Sequence, residues 1–460
     1  MLRRGLGLGL LVVLLVVLLA ASSVPARAEL SSADWKKAAD RAEQATRKAD
    51  EKEAAAAIAA AAADDSERAA KLIAQVVSKF PAAHDDFFDQ VYGALEKLKA
   101  PAALAELRKL VAGGTKDGAK DGAKDWRLRV LVVDVLGMRG KGEQEAIAKA
   151  LDDKQEEVVR AATRQLGRLR TAAGIAAICD AMAKLEGKGK TAATWQDMRN
   201  ALMRALGVDL QGGADYKNYL EANKDRFVEG QGIAPDPSKA KARADSGGGR
   251  VGETVVFGTE LYCKNVVLII DVSGSMEMTD PYPPGMDLGS KDRKYIESNG
   301  MLDPERKRIT RARNELTKLL DALAKAKGKI NIITFSTQVD CWKKDGLVEL
   351  TSEHLRGAKA FVKDIKADGV TCTESALEVA FAVAPQADCF YLFSDGKATN
   401  DGEHVIPAKE IIDAVDRLNK VRKVQVNTFG FIPPAGVEGA DVELMSGLAE
   451  HTGGTYTEIR

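Results

Sequence analysis

Asp271, Ser273 and Ser275 stand on alternate residues directly after an unbroken β-branched and leucine run at 266–270. Such a run suits a strand buried on both faces, as in the middle of a parallel sheet. A buried strand does not carry a carboxylate and two hydroxyls onward, and Gly274 between the serines lets the backbone turn sharply. The pattern predicts a cluster of hard oxygen donors at the carboxyl end of a central strand, where open α/β sheets hold their ligands. A small divalent cation such as Mg2+ prefers those donors.

Other chemistries fit less well. A serine nucleophile needs a base, yet His84, His354, His404 and His451 sit in no recognisable motif, and G-x-S-x-G is absent. A phosphatase with Asp271 as nucleophile wants a second aspartate two residues on, where Ser273 stands. The five cysteines (Cys179, Cys263, Cys341, Cys372 and Cys389) form no C-x-x-C pair, so zinc is not supported. No enzyme is expected.

The D-x-S-x-S pattern resembles the metal-ion-dependent adhesion site of von Willebrand factor type A domains. Two further parts of that site have counterparts downstream. Gly369-Val370-Thr371, followed by T-E-S-A-L at 373–377, resembles the family's threonine loop, with Val370 in place of a glycine. The apolar stretch 389–394 leads into Asp395-Gly396, which resembles the family's S-D-G. The resemblance covers residues 251–460. It implies that Ser273, Ser275 and Thr371 hold Mg2+ (or Mn2+ or Ca2+) directly, while Asp271 and Asp395 act mainly through water. It also implies an open coordination position that an acidic side chain of a protein partner fills. Hydroxyls in place of further carboxylates leave the ion residual positive charge. Cys263 and Cys389 lie near the starts of strands that neighbour each other in this family, so they are placed to pair, leaving Cys341 with Cys372. Four buried thiols is the other reading, and Cys179 reads as a core residue.

Elements alternate around this site. A strand at 329–336 is followed by an edge strand at 341–350, helices at 353–365 and 375–384, and the strand before Asp395. A helix at 407–418, a strand at 424–431, a helix at 441–451 and a last strand at 454–459 complete a doubly wound parallel sheet, Rossmann-like in class. The stretch 277–304, rich in proline and glycine, interrupts the run from the first strand to its helix at 305–325, which Asp303 and Pro304 are placed to start. This insert is either a lid, a partner-specific loop or a source of extra carboxylates (Asp280, Asp287, Asp292), or a disordered surface excursion.

The chain has 460 residues, more than one ordinary core takes, so several domains are expected. Residues 1–28 read as a secretory signal: Arg3 and Arg4, an apolar run at 6–21 shorter than the ~20 residues of a spanning helix, and Ala26-Arg27-Ala28 before the cut. An uncleaved anchor is the alternative, and the only membrane association expected. Cleavage leaves 64 basic against 67 acidic residues, so nothing in the charge argues for nucleic acid. The protein is then exported, to the periplasm, the cell surface or the medium.

Residues 29–84 form an alanine- and charge-rich helical segment, with Ser31 or Ser32 capping its first helix. In 85–228, the segments 129–137, 159–167 and 199–207 repeat an amphipathic helix ending in Leu-Gly, the glycine placed to stop it. Paired helices at this period resemble HEAT repeats, an α-solenoid. The tandem K-D-G-A stretch at 113–124 reads as a solvated loop. Residues 229–252, with prolines and a glycine triplet, read as a flexible linker that lets the helical part and the 253–460 domain move independently. The expected function is divalent-cation-dependent protein binding of the adhesion type. The alternative is a scaffold in which the helical repeats carry the partner interface and the metal site is secondary.

Overall fold

The computed structural model describes residues 30–80, 83–112, 124–186, 193–234, 254–257, 259–261, 263–280, 303–432 and 439–460. The signal segment 1–28, the K-D-G-A stretch up to residue 123, residues 235–252 of the expected linker and residues 281–302 of the insert lie outside them. The described residues divide into two units: residues up to 82 with 93–107, and 83–92 with 108–460.

In the first unit the alanine-rich stretch is three helices: α1 (Ser32–Lys48), α2 (Glu51–Ala61) and α3 (Glu67–Val77). Ser31, Asp50 and Ser66 each accept the backbone N–H three residues on, so each break is a cap written into the sequence. Ala42, Ala45, Ala54, Ala57 and Ala61 are buried, and their small side chains let the helices approach closely. Asp64, buried at the turn before α3, accepts from Arg68, Ser66 and the Leu30 N–H; the Arg68 hydrogen bond first of all holds its carboxyl down to about 2. A depressed carboxylate contributes stability above its unfolded value and loses it as pH falls through its folded value. Asp64→Asn is therefore expected to cost about 2 kcal/mol at neutral pH. By denaturant titration the two proteins should converge as the pH drops from about 4 to about 2. A gap that persists at pH 2 would assign the loss to packing instead.

Helices α4 (Asp85–Glu96) and α5 (Pro101–Val111) run across the division between the units. In the second unit α6 (Trp126–Met138), α8 (Glu156–Leu169) and α10 (Ala193–Leu206) pack side by side, and α7 (Gln144–Lys149), α9 (Ala172–Glu186) and α11 (Gly213–Ala222) form a second row. The three similar segments thus occupy equivalent places in successive helix pairs. Their glycines do not all stop helices. Gly207, at φ +66°, ends α10. Gly137 and Gly167 lie inside α6 and α8, where a Cβ would come within 2.3 Å of Gln165 Oε1 and 2.9 Å of the Ala201 Cβ. These two serve the close approach of neighbouring helices.

The sheet of the 253–460 domain has the order β5-β4-β3-β7-β8-β9, with β6 also paired to β4. Here β3 is Asn265–Asp271, β4 Lys329–Phe335, β5 Val339–Cys341, β6 Val348–Glu349, β7 Cys389–Ser394, β8 Gln425–Phe431 and β9 Tyr456–Ile459. β3, β4, β7, β8 and β9 are parallel; β5 and β6 run antiparallel to β4, so the expected single edge strand is two short ones. A short antiparallel pair, β1 (Thr254–Val256) and β2 (Thr259–Leu261), precedes them. Val266, Leu268 and Ile270 pack on one face under α12 (Arg308–Lys325) and α13 (Ser352–Asp364). Val267 and Ile269 pack on the other with α14 (Thr373–Val383), α15 (Ala408–Leu418) and α16 (Val442–Thr452).

Asp303 caps a 3-10 turn at Pro304–Arg306 and not α12 itself. The chain is extended at Lys307, pinned by a bridge to Thr279, so the α-helix starts at Arg308. Cys263 and Cys389 are disulfide-bonded, with Cα atoms 6.1 Å apart, next to the β3–β7 pairing of Val266 with Cys389. Cys341 and Cys372 are free thiols and not the second pair; one lies on edge strand β5, the other at the start of α14. Cys179 is a buried core thiol on α9.

The helical rows and the sheet domain do not sit apart. Gln425 Nε2 donates to Asp197 Oδ1 at 2.6 Å, Asn200 Nδ2 to Gly453 O at 2.9 Å and Arg204 Nη1 to Gly454 O at 3.0 Å. Arg164 Nη2 donates to Lys423 O at 2.7 Å, and Lys423 pairs with Asp134. The first residues of the expected linker are tied down as well, since Ile233 N donates to Ala205 O at 2.8 Å. Independent motion is thereby corrected: buried, charge-assisted bonds hold the two parts as one unit. The joining residues directly precede β7, β8 and β9, so the helices cap the amino edge of the sheet and leave the carboxyl edge to the loops after the strands.

Candidate metal centre

The strand order changes direction at β3: the chain passes from β3 to β4 on one side and returns to β7 on the other. At such a point in an open α/β sheet the loops after the two strands diverge, and ligands bind at the carboxyl ends. Asp271 ends β3 and Asp395 follows β7, both wholly buried. Ser273 Oγ lies 3.1 Å from Ser275 Oγ, which donates to Asp395 Oδ1 at 2.8 Å. The loop before α14 is laced to the first loop by Gly274 N to Gly369 O at 3.0 Å and Asp368 N to Val272 O at 2.8 Å. It brings in Thr371, whose Oγ1 is 2.9 Å from where a Cβ on Gly396 would stand. All five residues singled out in the sequence meet in one cluster.

Asp271 is held from within. Ser273 N donates to its Oδ1 at 2.8 Å and Ser394 Oγ to its Oδ2 at 2.6 Å. Burial, and then the facing Asp395 carboxylate, push Asp271 well above the usual carboxylate range. Burial raises Asp395 too, against an Arg308 hydrogen bond that lowers it. Arg308, wholly buried at the start of α12, donates from Nη1 to Asp395 Oδ2 at 2.6 Å and from Nε to Asp280 Oδ1 at 2.8 Å. Asp280 was a candidate extra ligand; it is instead the second anchor of this guanidinium, while Asp287 and Asp292 lie outside the described residues. Ser394 and Arg308 were missed. The serine stands inside the S-D-G stretch, and the arginine is a charge on the buried side of an amphipathic helix that also buries Ile309, Ala312 and Leu316.

Val370, the departure from the glycine pattern, is accommodated. Its N–H donates to Thr337 Oγ1 at 3.2 Å, and its side chain occupies space that a Cβ on Gly402 would take, 2.6 Å from Val370 Cγ1. Gly369, at φ +86° and with its Cβ position 2.4 Å from Thr337 Oγ1, is the glycine this turn requires.

The donors fit a small hard cation. Neighbouring ligands around an octahedral ion with ~2.1 Å bonds sit roughly 3.0 Å apart, and the Ser273 and Ser275 hydroxyl oxygens are 3.1 Å apart. Among the described residues, no group of three or more His, Cys, Asp or Glu is placed to hold a metal, so this centre is one of hydroxyls with two carboxylates.

Residues 305–458 match the family model of the von Willebrand factor type A domain, so Asp271, Ser273 and Ser275 precede the matched stretch. The chain is 28% identical over 109 residues to human von Willebrand factor A domain-containing protein 3B, and 36% identical over 108 residues to mouse inter-alpha-trypsin inhibitor heavy chain H3. Each alignment covers 24% of this chain but only 8% and 9% of those proteins. Among solved structures, a von Willebrand factor type A protein from Catenulispora acidiphila aligns at 19% identity and TM-score 0.29, covering 44% of this chain and 40% of that one. The BatB protein of Bacteroides thetaiotaomicron aligns at 18% identity and TM-score 0.28, covering 42% and 89%.

Proposed function

We propose that the carboxyl-terminal von Willebrand factor type A domain holds Mg2+ (or Mn2+) through Ser273, Ser275, Thr371, Asp271 and Asp395, and uses the site to bind an acidic group of a protein partner. The observation that carries this reading is the row of hydroxyl and carboxylate oxygens at 2.8 to 3.1 Å spacing on the carboxyl edge of the sheet. When bound, the cation supplies residual positive charge and a free coordination position for a partner's carboxylate. The chain's own residues do the rest. Asp271 orders the first loop through Ser273 N–H, Ser394 fixes Asp271, and Arg308 holds Asp395 in place. Met278 and Val405, 42% and 50% exposed in loops beside the site, offer apolar contact around such a carboxylate. A binder is favoured over a catalyst, because His354, His404 and His451 are bonded to Glu349 O, Asp401 and Asp416 and not to the site's serines.

The Cys263–Cys389 disulfide fits an exported protein, as does the amino-terminal sequence. The paired helical rows resemble HEAT repeats, and in this reading they brace the amino edge of the domain. The test uses the full chain, since cutting at 251 would sever the buried bonds of Lys423 and Gln425. In calorimetry of the metal-stripped protein, Mg2+ and Mn2+ are expected to bind saturably at submillimolar concentration, with Asp271→Ala and Thr371→Ala each weakening binding by roughly tenfold or more. Ca2+, whose ~2.4 Å bonds want wider oxygen spacing, should bind more weakly. No saturable heat at millimolar Mg2+ would defeat the reading. Partner capture that survives chelator and is lost on changes in the helical rows would put the scaffold function in its place.

A further inference from the structure

Far from the metal centre, where the helical rows meet the amino edge of the sheet, the second unit has a half-open cavity of about 580 Å3. The helical side contributes Arg164 and Arg168 from α8, Arg170 at its end and Arg204 from α10; the sheet domain contributes Lys420 and Lys423. In the lining these six cations face three carboxylates, Asp134, Asp416 and Glu450, and Lys420 also pairs with Asp89 at 3.3 Å. The whole chain is neutral, so this excess is local. Two of the carboxylates are already engaged, Asp134 with Lys423 and Asp416 with His451. Arg168, Arg170 and Arg204 donate to neutral oxygens: Gln165 Oε1 at 2.9 Å, Gln231 O at 3.2 Å and Gly454 O at 3.0 Å. Arg164 shares Asp197 with Arg160 and Gln425, and its buried Nε–H has no acceptor among the described residues.

We infer that this cavity is a binding site for a small multivalent oxyanion, a phosphate ester, pyrophosphate or polycarboxylate. Its volume is that of a small-molecule site. Its arginines carry the planar donor forks that match carboxylate and phosphate oxygens. A partly enclosed wall lowers the effective dielectric and strengthens each of those contacts. Burial pushes Arg164 down to about 10 and Arg204 down as well, against the pull of Asp197 on both. Because both walls belong to the join, an anion held there ties the helices to the sheet domain, and binding appears as added stability.

The test is calorimetry and thermal melting of the full chain with sodium phosphate, pyrophosphate and citrate, each against sodium chloride at equal ionic strength. Saturable binding of at least one, with a rise in melting temperature, is expected. Pyrophosphate above citrate identifies phosphate esters as the class, and the reverse identifies polycarboxylates. Arg168→Glu, at an exposed position, should not lower the ligand-free melting temperature and should weaken binding by roughly tenfold or more. Arg204→Gln should weaken it similarly, while Lys363→Glu, on the exposed face of α13, should not. Absence of saturable binding at millimolar anion, or equal affinity in Arg168→Glu and Lys363→Glu, would overturn the assignment.

Discussion

Asp197→Ala is expected to lower the stability of the second unit by about 3–5 kcal/mol. Asp197 is buried where α10 meets the sheet. Its Oδ2 accepts from Arg160 Nε at 2.7 Å and from Arg164 Nη2 at 3.3 Å, and its Oδ1 from Gln425 Nε2 at 2.6 Å. Removing it takes the ion-pair partner from the Arg160 guanidinium, which is 3% exposed and keeps, among the described residues, the Asp388 carbonyl as acceptor with the Asp388 and Glu156 carboxylates further off. An unpaired buried charge costs far more than the net value of the pair that is lost. Arg164, already pulled down by burial, loses its nearest anion as well. The measurement is denaturant unfolding followed by tryptophan fluorescence, with Trp195 two residues away as reporter. Asp416→Ala, which removes a partly exposed partner of His451, should stay within about 0.5 kcal/mol of wild type. Equal midpoints for Asp197→Ala and wild type would show that the helices and the sheet domain are not joined through this residue.

Arg308→Met should cost a similar amount, about 3–5 kcal/mol, and for a reason that touches the metal centre. The side chain keeps its volume, but Asp395 is left buried without its cation, and Asp280 keeps only Arg311, at 3.4 Å. Without Arg308, burial and then the Asp280 carboxylate raise the Asp395 carboxyl further. A carboxyl whose folded value lies above its unfolded one binds protons more tightly when folded, so stability falls as pH rises from the unfolded value through the folded one. The Arg308→Met variant should therefore be least destabilised near pH 4 and most near pH 8. Magnesium should recover more stability in the variant than in wild type, because the ion then compensates a carboxylate that has no other partner. Denaturation at both pH values, with chelator and with Mg2+, reads both effects. A loss independent of pH and of Mg2+ would reduce Arg308 to packing alone.

Much of the domain's plan lies in local patterns. The apolar run before Asp271, the caps at Ser31 and Asp50, and the alternation of strands with amphipathic helices are decided by residues near one another in the chain, where side-chain period and capping chemistry act. Asp271, Ser273 and Ser275 were legible for the same reason, whereas Thr371 and Asp395 were reached through the family resemblance. Local pattern misled where a residue's purpose lies across the fold. Gly137 and Gly167 look like helix stops, but they serve contacts with Gln165 and Ala201 on neighbouring helices. Cys341 and Cys372 look like a pair, yet one is on an edge strand and the other at a helix start, both free. Arg308 reads as an ordinary helix charge until Asp280 and Asp395, 28 and 87 residues away in the chain, close around it. The join between helices and sheet, and the cationic cavity within it, have no signature in sequence at all. They arise because hydrogen-bond donors and acceptors more than 200 residues apart find each other only once both parts are folded.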